Sequence, residues 1–191
     1  MFLETLIQLD IAVFIFFNHT CQNPIFDVLM PFITVKEHLA PAMFLVVGLL
    51  LWKGGRKGRI LVGMLIAAIA LSDQVTSHLI KPWVSRLRPC FVFEPLSSIN
   101  ALFGSKSSPS FPSAHASNAF AMASLFALTY PRSKAIALGA ACLVAFSRVY
   151  VGVHYPMDII SGAIIGTLCG IWIKYTFDLV SGWPVEKQGS I

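Results

Sequence analysis

Most of this chain is spent in apolar runs, at about 3–17, 25–35 continuing through 39–52, 60–80, 114–130, 135–151 and 157–177. Roughly 20 apolar residues cross a bilayer once, and a crossing segment has to satisfy its own backbone hydrogen bonds, which leaves the α-helix as the natural form for such runs. The fold class expected is all-α, a polytopic membrane bundle of about six transmembrane helices, with five as the alternative. Charge agrees: only 12% of the 191 residues are charged and 56% are hydrophobic, against roughly 25% charged in soluble domains. The length suits one integral membrane domain over 1–191 and leaves no room for a second.

Two runs are imperfect. The first carries Glu4 and Asp10 and is short for a full span, so a tilted crossing or an interfacial helix with its acids facing water is expected. The second is interrupted by Lys36-Glu37-His38 and Pro41, which reads as a surface-lying stretch before a span. Between the third and fourth runs, 81–113 is rich in Ser and Pro yet contains Trp83, Phe91, Phe93, Phe103 and Phe111. Aromatic rings favour the headgroup zone, so this stretch is expected as a loop on the membrane surface.

The formal charge is +5, but the 14 Lys and Arg are scattered over loops with no basic stripe, and a nucleic-acid partner is excluded on that ground. Short cytoplasmic loops are enriched in Lys and Arg. Lys53, Arg56, Lys57 and Arg59 crowd one loop, Arg132 and Lys134 another, and Lys174 and Lys187 lie near the C-terminal end. Alternate crossing puts all three places on one side, expected to be the cytoplasm, with both termini there. MFLETLIQLD lacks a basic leader, and no removable signal peptide is expected. Cys142 and Cys169 fall inside apolar runs as packing residues; a disulfide between Cys21 and Cys90 is allowed by the threading, although small buried cysteines are the commoner case.

The same threading brings Lys81, Arg88, His115, Arg148, His154 and Asp158 to the opposite face, from three separate stretches of sequence. Any one Lys or Arg at a span end is ordinarily a snorkelling anchor, and a lone His at a helix start is ordinarily a cap. Their joint occurrence on one face is not ordinary. A phosphate monoester carries nearly two negative charges, and its transfer depends on holding those charges in place. Lys81, Arg88 and Arg148 supply permanent cations, and arginine adds a planar fork matched to two phosphate oxygens. Ser113 precedes an apolar run, where a serine caps a helix, so its hydroxyl and the amides of Ala114 and His115 are expected to line the phosphate. Pro156 favours a first helical turn. A helix starting there lets Asp158 fix one ring nitrogen of His154 and leave the other free to attack, as in the base half of a serine-protease triad.

The ordered set resembles the signature of the type 2 phosphatidic acid phosphatase superfamily, which includes vanadium haloperoxidases. Six residues separate Lys81 from Arg88-Pro89, then comes Pro112-Ser113-Ala114-His115, then Ser147-Arg148, with five residues between Arg148 and His154 and three between His154 and Asp158. The resemblance implies an acid phosphatase/vanadium haloperoxidase-like helical core and roles residue by residue: Lys81, Arg88, Ser113, Ala114 and Arg148 hold phosphate, His154 attacks it, Asp158 orients His154, and His115 protonates the leaving alkoxide. Ala114 departs from the glycine usual there, and its methyl crowds the amide contact. No cofactor or metal is implied. The implied activity is metal-independent hydrolysis of a lipid phosphate or diphosphate through a phosphohistidine at the outer face of a bacterial inner membrane. Lipid A 1-phosphate, phosphatidylglycerophosphate, undecaprenyl diphosphate and phosphatidic acid are the candidate substrates. The alternatives are a lipid-phosphate binding or transport protein without hydrolysis, and a vanadate-dependent haloperoxidase.

Four further polar positions stand out. Asp73 and Ser77 share a helix face by their spacing of four, with support of the site and helix–helix bonding equally open; His78 lies beside them. Arg86 reads as a surface anchor, with contact to a diphosphate or headgroup as the alternative. Asp27, after Asn23-Pro24, reads as a turn or helix-start residue.

Overall fold

The computed structural model describes residues 2–93, 99–102 and 108–181. Phe103 and Lys187 lie outside them. Among the described residues nine α-helices follow one another: α1 (Phe2–Ile15), α2 (Pro24–Thr34), α3 (Lys36–Trp52), α4 (Gly55–Asp73), α5 (Lys81–Val84), α6 (Pro89–Val92), α7 (Ala114–Thr129), α8 (Lys134–Tyr150) and α9 (Pro156–Ser181). The described residues contain no strand.

Local chemistry explains where these helices start. Asn23 caps α2, its side chain accepting from the Phe26 N–H at 2.9 Å, with Pro24 in the first turn. Ser113 caps α7, accepting from the Ala116 N–H at 3.4 Å. Pro156 opens α9. Asp27 sits in the first turn of α2, as its place after Asn23-Pro24 implies.

Among the described residues three helical stretches are long and apolar enough to cross a membrane: Gly55–Val92, Pro131–Tyr150 and Pro156–Ser181. The pair α2–α3, bent by 62°, makes a fourth if it counts as one span. Six is not reached on this measure: neither the 16-residue α7 nor α1, which runs on into a π-helical stretch over Phe16–Thr20, qualifies. The interruption in the second run falls at Val35, not at Pro41, which is carried inside α3. Nor does the third run end in a plain loop. Beyond α4 the chain continues as a π-helical stretch, Gln74–Ile80, into α5, and stops at Ser85, whose φ of 47° is left-handed.

The centre of the bundle is α7, which packs on α4, α8 and above all α9. Gly162, Gly166 and Gly170 recur at every fourth position of α9 and face α7. A Cβ on Gly162 would lie 2.5 Å from the Ser113 carbonyl oxygen; one on Gly166 would run into the Ser117 carbonyl, and one on Gly170 into the Ser124 hydroxyl. Apolar burial contributes little between helices in lipid, so close backbone approach through small residues is what holds such a pair. On the other side of α7, Ala121 and Leu125 bury against Leu61, Met64, Leu65 and Ala68 of α4, and Ser72 and Ser117 share a hydroxyl–hydroxyl bond of 2.6 Å.

Candidate phosphate site

His154 sits in the short connection between α8 and α9, and this connection is firmly tied. Asn18, fully buried, donates from Nδ2 to the carbonyl oxygens of Tyr150 (2.7 Å), Asn100 (3.2 Å) and Val149 (3.3 Å), while its Oδ1 accepts from the Asn100 N–H (2.8 Å). Carbonyls at the end of a helix have no partner within it, and Asn18 supplies one. Gly152 takes a φ of 78°, and a Cβ there would lie 2.9 Å from the Asn100 oxygen. The next residues fold back, with the Val153 and His154 N–H groups both donating to the Arg148 oxygen at 3.2 Å.

This places the His154 ring, 1% exposed, between Asp158 and Arg88. Its Nδ1 lies 3.4 Å from Asp158 Oδ2 and its Nε2 lies 3.1 Å from an Arg88 terminal nitrogen. A guanidinium only donates, so Nε2 has its lone pair toward Arg88 and the proton belongs on Nδ1, toward Asp158. Burial, first, and then the charges of Arg88, Arg148 and Lys81 hold the His154 imidazole well below the usual histidine range. The ring is neutral at pH 7, in the field of three cations.

Arg88, from the start of α6, uses all five of its donors: Nε to the Ser108 oxygen (2.8 Å), one terminal nitrogen to the Val153 oxygen (2.8 Å) and His154, the other to the Ser108 hydroxyl (3.0 Å) and the Pro109 oxygen (3.2 Å). Arg148, in the last turn of α8, donates to the Thr34 hydroxyl at 2.6 Å and the Thr34 carbonyl at 3.3 Å. Its Nε is buried with no partner among the described residues. Lys81, half-buried at the start of α5, feels the charges of Arg88, Asp73, Arg148 and Asp158.

Asp158 is fully buried in the first turn of α9, at the positive end of the helix. The backbone N–H of Ser113 donates to its carbonyl oxygen at 2.9 Å, which ties the start of α7 to the start of α9. Ala114 and His115 occupy the first two positions of α7, both half-buried. Beside the site a cavity of about 320 Å³ is lined by Ser85, Arg86, Leu87, Arg88, Phe91, Ser108 and Pro109. Among the described residues no three His, Cys, Asp or Glu side chains gather to hold a metal.

Several readings of individual residues change. Arg86 is not a surface anchor: it donates to Asp158 Oδ1 at 2.9 Å and to Asp10 Oδ2 at 2.7 Å. Asp10 is therefore not a water-facing acid; it is 5% exposed. Thr34 and Asn18 were not singled out by sequence, because an uncharged residue near the end of an apolar run gives no signal. Asp73 accepts from Ser77 within its own helix at 3.0 Å. Asp27 also accepts from the Tyr150 hydroxyl at 2.7 Å and the Asn100 amide at 3.1 Å. All four cysteines are free thiols, so Cys21 and Cys90 do not pair.

Residues 57–180, which carry Lys81, Arg86, Arg88, Arg148, His154 and Asp158, match the PAP2 superfamily. The chain belongs to that superfamily. Among PAP2 relatives, the chain is 30% identical to a lipid A 4'-phosphatase of Bacteroides thetaiotaomicron, in an alignment covering 98% of this chain and 88% of the relative. The PAP2 fold is seen in the crystal structure of Aquifex aeolicus LpxE, 28% identical, with a TM-score of 0.70 over 87% of this chain and 95% of that one. A second solved structure, a transmembrane PAP2-type phosphatidylglycerolphosphate phosphatase from Bacillus subtilis, is similar in fold. Its TM-score is 0.67, at 24% identity, over 94% of this chain and 90% of that one. These likenesses and the apolar helices make the chain a multi-pass membrane protein.

Proposed function

We propose that this protein, a phosphatase of the PAP2 superfamily, removes a terminal phosphate from a membrane lipid through a phosphohistidine formed on His154. The observation that carries this reading is the buried His154 ring, with Asp158 on one nitrogen, Arg88 on the other and the charges of Arg148 and Lys81 acting on it as well. Asp158 and Asp73 offset part of the charge of these cations, and a phosphate would balance the rest. A phosphate brings close to two negative charges, and Arg148 Nε is one donor with capacity for it.

In this mechanism Asp158 holds the Nδ1 proton and His154 Nε2 attacks phosphorus. A P–N bond forms, the P–O bond to the lipid breaks, and His115, half-buried at the first turn of α7, gives its proton to the departing alkoxide. Water, deprotonated by the same His115, then attacks phosphorus, the P–N bond breaks, and orthophosphate leaves with His154 restored. Lys81 and Arg148 hold the oxygens throughout, with the Ser113 hydroxyl and the first amides of α7, and Arg88 joins them by exchanging its contacts with Ser108 and Pro109 for phosphate oxygens.

Lipid A 4'-phosphate is the first substrate to test, since the Bacteroides relative aligns over nearly the whole chain. The orientation follows from the basic loops: Lys57 lies 5.2 Å from the centre of the Tyr130 ring, which brings the α3–α4 loop beside the Arg132–Lys134 turn at one end. Placing that end in the cytoplasm of a bacterial inner membrane puts His154 at the periplasmic face.

The test is phosphate release in EDTA from lipid A 4'-phosphate, lipid A 1-phosphate, phosphatidylglycerophosphate, undecaprenyl diphosphate and phosphatidic acid. Release by the wild type that disappears in His154→Gln and His115→Ala supports the histidine mechanism and names the lipid. Failure to release phosphate from all five, with those lipids still bound, turns the reading to binding or transport.

A further inference from the structure

The pair Arg86 and Asp10 is not explained by phosphate binding. Arg86 donates one terminal nitrogen to Asp158 Oδ1 at 2.9 Å and the other to Asp10 Oδ2 at 2.7 Å. Its guanidinium carbon also lies over the Tyr155 ring, 3.9 Å from the ring centre. The second oxygen of Asp10 accepts from the Met157 N–H at 2.8 Å, in the turn of α9 that carries Asp158. Tyr155 in turn gives its backbone N–H to Asp158 Oδ2 at 2.9 Å. One closed loop of contacts thus runs from Asp10 through Arg86 to Asp158, with a second strand from Asp10 through Met157 back to the same helical turn.

The cost of this arrangement indicates a purpose. Asp10 and Asp158 are almost wholly buried, and a buried ion pair is weak evidence for stability because desolvation consumes most of the attraction. What such a pair does supply is direction. Arg86 engages the Asp158 oxygen that does not face His154, and Tyr155 N–H fixes the other oxygen beside His154 Nδ1. A carboxylate held at both oxygens cannot rotate away from the imidazole.

We propose that Arg86 is a positioning residue that aims Asp158 at His154, and that Asp10 of α1, outside the matched residues 57–180, anchors Arg86 for that task. The N-terminal helix is then part of the unit that orients the attacking ring. This rests on His154 being the nucleophile, so the test reads ring orientation separately from turnover.

Turnover comes first. In the purified full chain, Arg86→Gln lowers kcat by about 10- to 100-fold with KM changed by less than about 3-fold, whereas Arg88→Ala raises KM. Asp10→Asn has a smaller effect, and Arg86→Lys restores part of the loss. In an Asp158→Asn background Arg86→Gln adds less than about 3-fold, because residues that act through one another are not additive. A merely structural Arg86 would give the full loss in both backgrounds, and that result, or an unchanged kcat in Arg86→Gln, overturns the inference. Imidazole ¹⁵N NMR supplies the second reading. Arg88 keeps the His154 proton on Nδ1 in both proteins, and Arg86→Gln moves the Nδ1–H proton resonance upfield as the hydrogen bond to Asp158 loosens. An unaltered Nδ1–H resonance in Arg86→Gln overturns the inference even in a protein that releases no phosphate, while absent release alone sinks only the hydrolase reading.

Discussion

The crossing of α7 and α9 and the polar end of the same two helices are built on opposite principles. Along the crossing, Gly162, Gly166 and Gly170 let the backbones approach until a single methyl would collide. At the end, Ser113, His154 and Asp158 are joined by directed hydrogen bonds, and Arg86, Arg88 and Arg148 are held by named acceptors. The contrast separates two tasks. Close packing needs small residues and fixes the distance between the helices; the polar end uses that distance to bring groups from α7, α8 and α9 into hydrogen-bond range. A fault in the first should cost folding, and a fault in the second should cost chemistry.

The sharpest way to break this comparison is His154→Gln. Phosphate release is expected to fall by at least about 10³-fold, equivalent to about 4 kcal/mol of barrier, while the melting temperature in detergent stays near that of the wild type. A large drop in melting temperature would mean that the polar end also carries the fold. Gly166→Val tests the other half. Overpacking of a tight contact costs about 1–3 kcal/mol or more, so the variant should melt early or fail to assemble, with kcat per folded molecule changed much less than in His154→Gln.

Asn18→Ala lies between the two. It removes the donor serving the Tyr150 and Val149 carbonyls at the end of α8 and leaves buried acceptors unpaired, at about 1–3 kcal/mol. Both melting temperature and kcat should fall, because the connection that carries His154 loses its tie. If kcat alone changes, Asn18 belongs to the site and not to the scaffold.

The smallest effect is one of pH. Burial and the charges of Arg88, Arg148 and Lys81 depress the folded-state value of His154, so between the unfolded value near 6.5 and that lower value the unfolded chain binds the extra proton. Stability contributed by neutral His154 is fully present above about pH 6.5 and is lost as pH falls below it. The slope of melting temperature against pH in this window should flatten in His154→Gln. An equal slope in both proteins would show that His154 is not held neutral by its surroundings. The same sign predicts that His154 stays able to attack in mildly acidic solution.

The candidate site was legible because its residues are marked by charge and order. Lys, Arg, His and Asp are conspicuous at the ends of apolar runs, and the helix starts at Ser113 and Pro156 follow from local backbone chemistry. Arg86 was misread for an equally physical reason: a lone Arg at a span end costs little when it reaches water, and nothing local says that it reaches an acid 76 positions away. Asp10 looked water-facing on the same logic, since an acid in a short apolar helix normally avoids burial unless a partner is supplied from elsewhere. The glycines of α9 gave no clear mark either, because their value depends on which helix lies against them.

The sequence by itself determined that this chain crosses membranes as helices, and it carried the PAP2 motif residues in order, since hydropathy and motif spacing are local properties of the chain. Only the tertiary structure decided which lone charges have partners, where α7 and α9 touch, and that α1 reaches the Asp158 carboxylate. Those depend on distances between segments far apart in the chain, and a buried charge is stable only where the fold brings its counter-charge to it.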